Sequence, residues 1–310
     1  MLLGIEIGGS KLQLVLGDAC GAIEEKRKLT VPAGEVASGI RRQIGQALPE
    51  LLRSRKPEAV GVGFGGPVDW RGGKIACSHQ IEGWSGFDLA GWLRPLVSAP
   101  VVVENDSNLA TLGEATHGAG AGFNPVFYFN MGSGVGGGLV VGGAIYHGAT
   151  PGEMEFGHLR LKRGGTIVEA RCSGWAVDKK IRRATTAAPD GVLSRLTAQS
   201  VGGEARQLAA ALRDGDALAQ EVLTETAEDL AFALSHAVHL LHPEILVMGG
   251  GLSLVGEPLR AAVAAALPRF VMEAFLPPPQ VCLAKLGEDS VPVGALCLAA
   301  GALNSTRKPA

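Results

Sequence analysis

Three stretches of this sequence place carboxylates, hydroxyls or bare backbone where chemistry could be done. "GIEIGGSK" (4–11) sets Glu6, Gly8, Gly9, Ser10 and Lys11 behind a short apolar run. "NMGSGVGGG" (130–138) repeats the arrangement with Gly132, Ser133 and Gly134. "ENDSNLATLGE" (104–114) sets Asn105 and Asp106 between an apolar run and a helical one. An aspartate at that junction has two uses. It can cap the helix, or it can stand as a general base whose charge the helix N-terminus favours. The local sequence leaves both open.

The element after each glycine turn decides which kind of turn it is. A P-loop needs lysine before the hydroxyl residue and a helix after it. Here the order is Gly-Gly-Ser-Lys, and "LQLVLGD" (12–18) reads as a strand. Gly132, Gly134 and Gly137 match a dinucleotide fingerprint, but "GLVVGGAIY" also reads as a strand, so no helix N-terminus is aimed at a pyrophosphate. The remaining candidate is a hairpin turn whose backbone N–H groups form an anion-binding nest. Ordinary hairpins, using glycine only for its backbone freedom, are the plain alternative. A third glycine turn, residues 249–251, ends the apolar run "EILVMGGG".

The elements that must carry these turns are legible as alternating strands and helices. Strands are expected at 2–7, 12–18, 59–66, 99–106 and 244–251, with a further strand in "AIEEKRKLTV" (22–31). Helical spacing runs through 35–54, 107–118, 216–241, 258–270 and 291–303. Strand, glycine turn, strand recurs at 125–148, a weak repeat of the opening. The expectation is an α/β protein of two lobes, residues 1–113 and 114–310, with the last helix returning to the first lobe. Trp84 and Trp92 are expected to pack in the first lobe, with an aromatic platform near Trp84 as the alternative.

Composition narrows the function classes. A net charge of −2 over 310 residues gives no global field for nucleic acid or an anionic membrane. No apolar run reaches ~18 residues, so no membrane span is expected. The start lacks the basic region of a signal peptide. The cysteines at 20, 77, 172, 282 and 297 are odd in number and contain no C-x-x-C, which suits a reduced, cytoplasmic setting. His236, His239 and His242 stand near one helix end, where polar positions beside a helix C-terminus explain them better than a metal does.

Together these motifs resemble the sugar-kinase, heat-shock and actin superfamily. More narrowly, they resemble the ROK family of repressors, open reading frames and sugar kinases, over nearly the whole chain. "GIEIGGSK" is similar to the family's first phosphate motif and "NMGSGVGGG" to its second. "GFGGPVD" (63–69) is similar to its sugar-domain loop, "ENDSNLATLGE" to N-D-A-N-x-A-x-x-G-E, "EFGH" (155–158) to E-x-G-H, and "VMGGG" (247–251) to its adenosine-side motif. The resemblance implies a two-lobed actin-like ATPase (ribonuclease H-like) fold with a nucleotide and sugar cleft. It implies ATP-dependent phosphorylation of a hexose or N-acetylhexosamine, with Mg²⁺ accompanying the nucleotide. Asp106 falls at the family's general base. Gly66, Asn105, Glu155 and His158 fall at its sugar contacts. Glu6, Gly8, Gly9, Ser10, Lys11, Gly132, Ser133, Gly134, Gly249, Gly250 and Gly251 fall along its nucleotide site. Glu153 competes with Glu155, which has the family's spacing to His158. A homodimer is implied as well.

Two departures stand out. Glu6 replaces the family's aspartate and is one methylene longer. The cysteine-rich zinc stretch that many members carry after His158 is here "LRLKRGGTIVEARCSGWAVD", which keeps only Cys172. Structural zinc takes four ligands, so none is expected, and Glu169 is given no role. Rival readings are a sugar-sensing regulator, a non-catalytic sugar-binding relic and a polymerising ATPase. The regulator is disfavoured by the absence of a basic helix-turn-helix ahead of the first strand, and the relic by the retention of Asp106.

Overall fold

The computed structural model describes residues 1–9, 11–32, 34–78, 81–150, 152 and 154–307, the last four of these by backbone alone. The chain divides into two compact units. One contains Met1–Gly122, Gly138–Met154 and Glu288–Ala310, and the other contains Phe123–Gly137 and Glu155–Gly287.

The first unit is built on a five-stranded sheet. Its strands are β1 (Leu2–Ile7), β2 (Lys11–Gly17), β3 (Ile23–Thr30), β4 (Val60–Phe64) and, after a small hairpin of β5 (Val68–Asp69) and β6 (Lys74–Ile75), β7 (Val101–Asn105). Their order is β3-β2-β1-β4-β7. β1, β2 and β3 run as antiparallel neighbours, whereas β4 lies parallel to both β1 and β7. Both faces are covered, which is why β1, β4 and β7 are nearly all apolar. α1 (Ala37–Leu52) and α2 (Leu89–Val97) close one face. α1 buries Ile40, Ile44, Leu48 and Leu51, one stripe at helical spacing.

α3 (Asp106–His117) and the terminal α10 (Ser290–Arg307) cover the other face. These two helices cross with their backbones almost touching. A methyl group on Gly294 would sit 1.9 Å from the Leu109 carbonyl oxygen, and one on Gly113 would sit 2.4 Å from that of Ser290. Only hydrogen fits at either position.

The second unit begins with β8 (Val126–Met131) and enters β9 (Val135–Val141), along which the chain passes back to the first unit and ends a hairpin with β10 (Ala144–Ile145). Beyond Glu155 come four short helices, α4 (Glu169–Cys172), α5 (Gly174–Ala187), α6 (Val192–Thr197) and α7 (Leu208–Arg213). The long α8 (Ala217–Leu241) follows, then β11 (Ile245–Gly249), α9 (Glu257–Ala266) and β12 (Gln280–Leu283). β11 lies parallel between β8 and β12. Among the described residues no helix is long and apolar enough to cross a membrane.

Candidate active site

In the first unit the register aligns the C-terminal ends of three strands. Ile7 pairs with Phe64, and Phe64 pairs with Asn105. The loops leaving those residues therefore open at one edge of the sheet, where parallel strands of α/β proteins present their ligand sites. They are the first glycine turn, the loop at Gly65 and Gly66, and the start of α3. Gly8 N–H donates to the Lys11 carbonyl at 2.9 Å, closing the hairpin, and Gly65 N–H donates to Ile7 at 2.9 Å. A methyl group on Gly65 would lie 3.2 Å from Asp106 Oδ2 and 3.6 Å from Gly8 Cα. Gly8, Gly65 and Asp106 are thus gathered at one point. Sequence reasoning selects Gly66 and misses its neighbour Gly65. Ser10 lies outside the described residues.

The helix cap falls to Asn105. Its side-chain oxygen accepts from the N–H groups of Ser107 at 2.9 Å and Asn108 at 3.2 Å, and its amide donates to the Gly66 carbonyl at 3.1 Å. Asp106 is thereby released from capping. Its carboxyl nevertheless does not sit low, as a helix N-terminus alone would make it. Burial, aided by the nearby Glu6 charge, pushes it up to about 6 against the pull of the Ser107 hydrogen bonds. The desolvation of the site outweighs the helix end.

Glu6 is buried on β1. It accepts from Gln13 Nε2 at 2.6 Å, and Lys11 Nζ lies 3.3 Å away. Burial raises its carboxyl, with Lys11 and Gln13 opposing. Lys11 also donates to the Glu288 carbonyl at 3.3 Å, so it is engaged in the site's wall. Sequence reasoning misses Gln13, although its place directly opposite Glu6 in the hairpin register is the signal that finds it. A second overlooked group is Glu104. It is buried beside Asn105 and accepts from Asn105 N–H, Asn108 Nδ2 and His147 Nε2, the last at 2.6 Å, while His147 stacks on Trp70. This network fixes the end of β7. Trp84 is fully buried against Phe64 and Phe87, and Trp92 packs at the edge of the same core, so Trp84 offers no platform.

In the second unit, three glycine-bearing elements converge. The turn at 132–134 closes with Gly132 N–H donating to Gly134 at 2.8 Å. The N–H of Gly174, at the start of α5, donates to the Gly132 carbonyl at 2.7 Å. The backbone of Met131 fills the space at Gly250, where a methyl group would meet it at 2.5 Å, so the 249–251 turn backs directly on the first. Glu169, which the sequence leaves unassigned, braces the same turn: its carboxylate accepts from Val135 N–H at 3.0 Å. The Cys172 thiol is buried, its Sγ 3.9 Å from the Thr226 carbonyl, and burial pushes it up to about 12.

Glu155 precedes a 3-10 turn, Phe156–His158, and His158 ends it. Phe156 anchors it in the core against Phe127 and Phe129. Gly157 rests on β9, where a methyl group would approach the Val135 carbonyl oxygen to 2.2 Å. The two polar side chains are left exposed, with His158 Nε2 3.9 Å from Glu155 Oε2. Glu153 lies outside the described residues. No cluster of three His, Cys, Asp or Glu that could hold a metal by itself occurs among the described residues.

The chain is similar in sequence and fold to known proteins. A glucokinase of Thermotoga maritima is 27% identical over 304 residues, covering 95% of each chain. A kanosamine kinase of Amycolatopsis mediterranei is 30% identical, covering 96% of this chain and 95% of its own. Among solved structures, a ROK family glucokinase from Streptomyces griseus in complex with glucose and AMPPNP superposes with a TM-score of 0.85 at 30% identity, covering 96% of this chain and 98% of its own. The mixed α/β fold is the actin-like ATPase fold expected from the sequence. The ROK family model matches residues 2–302, and the chain belongs to the ROK family.

Proposed function

We propose that this protein is an ATP-dependent sugar kinase that phosphorylates a hydroxyl of a hexose or N-acetylhexosamine. The observation that carries the reading is the state of Asp106: a carboxylate at a strand end, relieved of capping by Asn105 and gathered with two glycine loops. The sugars named for its relatives supply the substrate class.

In this reading Asp106 takes the proton of the attacking hydroxyl. The hydroxyl oxygen forms a bond to the γ-phosphorus, and the bond from that phosphorus to the bridging oxygen breaks, its electron pair leaving with ADP. A base at about 6 is mostly ionised at neutral pH, yet basic enough to accept a proton. Asn105, Gly66, Glu155 and His158 hold and orient the sugar. By the family resemblance Gly8, Gly9, Ser10 and Lys11 are assigned to the phosphates, and residues 132–134 and 249–251 to the nucleotide. The nearby Glu6 charge helps raise the Asp106 carboxyl, a cost that a cation would relieve, and such oxygen donors would suit Mg²⁺. Bound with the nucleotide, that ion neutralises phosphate charge.

The test is coupled ADP release with Mg-ATP against a panel of hexoses and N-acetylhexosamines. Glucose-type sugars are expected to stimulate release, and Asp106→Ala to lower kcat by about 10²–10⁴-fold. Release without sugar dependence would make the protein an ATPase. Sugar binding without phosphorylation of any member of the panel would leave a sugar-sensing protein.

A further inference from the structure

The sequence draws attention to Trp84 and Trp92, but the structure singles out Trp175. It is the second residue of α5, and 65% of its surface is exposed. Trp84 by contrast is wholly buried. Among the described residues Trp175 has no ring or cation–π partner. Its helix begins at Gly174, whose N–H is bonded to the Gly132 carbonyl. Side chains on a helix tilt toward its N-terminus, so the indole leans over the end of α5 that holds the 132–134 turn. Leu254, 82% exposed, stands on the 3-10 turn that follows Gly250, and that turn backs on the same strand end. Apolar surface is therefore presented on two elements that frame one phosphate-type turn.

A flat indole face in water is a surface that a flat apolar partner would cover. A nucleotide held by its phosphates on the 132–134 turn carries such a partner in its base. Stacking of a base on an aromatic ring tolerates any base but offers nothing to a bare polyphosphate. We propose that Trp175 is the platform on which the purine base of the phosphoryl donor stacks. The proposal rests on the nucleotide reading of the 132–134 turn. It concerns the base alone, and it assigns Trp175 to binding, with no part in proton transfer.

The test uses the full chain with Trp175→Ala and Trp175→Phe. Binding of ATP and ADP is followed by quenching of intrinsic fluorescence and by calorimetry. KM for ATP and for the sugar is measured in parallel, with inorganic tripolyphosphate as a competitor that lacks a base. Trp175→Ala is expected to weaken ATP and ADP binding by roughly 5- to 100-fold, leaving the sugar KM and tripolyphosphate inhibition unchanged. Trp175→Phe should recover most of the affinity but lose the nucleotide-induced quenching, although Trp70, Trp84 and Trp92 remain. ATP affinity in Trp175→Ala within twofold of the parent, or quenching that persists in Trp175→Phe, overturns the proposal. So does a change of oligomeric mass with ATP affinity intact, which would make the indole a subunit contact. A parent protein that binds no nucleotide overturns it too. If the parent binds ATP yet phosphorylates no sugar, the kinase reading fails, and the quenching and calorimetry still decide Trp175.

Discussion

At Asp106 two requirements pull in opposite directions. Turnover needs the charge, and burial disfavours it. The pH dependence of kcat/KM should therefore carry an acid limb near pH 6, activity rising with pH as the carboxyl ionises. Glu6→Gln removes the neighbouring like charge, so the limb should move to lower pH in a rate–pH profile. Linkage supplies a second reading of the same residue. Its folded value is about 6 against an ordinary 3.8, so between those values the native state holds more protons than the unfolded chain. Stability is lost as pH rises through that window. Asp106→Asn should slow turnover as Asp106→Ala does and yet stabilise the protein at pH 8, by up to about 3 kcal/mol, as measured by urea denaturation. The sequence points at Asp106 through its place between strand and helix. It does not reveal the charge state, because burial and the Glu6 charge, which outweigh the helix end, depend on groups remote in the chain. Gln13 and Glu104 stay hidden for a related reason: each acts through a partner fixed by register or by a distant loop.

At the level of elements, the strongest constraint is the crossing of α3 and α10. Gly294→Ala drives a methyl group into the Leu109 carbonyl, and separating the helices would uncover Leu109, Leu112 and Ala295. A loss of about 2 kcal/mol or more is expected, read as a fall in the urea midpoint with little change of slope. The hairpins, α1, α3, α8 and α10 are legible in the sequence because each repeats one pattern long enough to be counted. Residues 159–215 are not. They fold as four short helices, none longer than the 14 residues of α5, too short for a period to be counted. β12 is four residues long and follows three prolines, so it shows no alternation to recognise. Helix caps are harder still. Ser107 and Asp106 both suit the start of α3, and the choice of Asn105 depends on Gly66 being near enough to take its amide.

For the whole molecule, the candidate nucleotide groups and the candidate sugar groups form two sets, and this separation is measurable. In hydrogen exchange, a nucleotide is expected to protect the 131–135, 174–176 and 249–251 backbone of the second unit. A sugar is expected to protect 64–66 and 105–108 in the first and 155–158 in the second. Uniform protection of both sets by either ligand would mean that the two sets do not bind separate parts of the substrates.

The terminal helix also bears on the order in which the protein is made. α10 supplies Leu296 and Ala299 to the face of the sheet that holds Leu2 and Val15, so β1 is sealed by a helix made long after it. Roughly 200 residues separate β7 from the end of α10, and at ~5–20 residues per second a ribosome needs on the order of 10–40 s to deliver them. Throughout that interval the nascent sheet exposes an apolar face, while the second unit has already emerged in full by its end. The first unit is thus expected to complete its folding only after the second has emerged, and a holdase has its natural target on the uncovered side of β1 and β4.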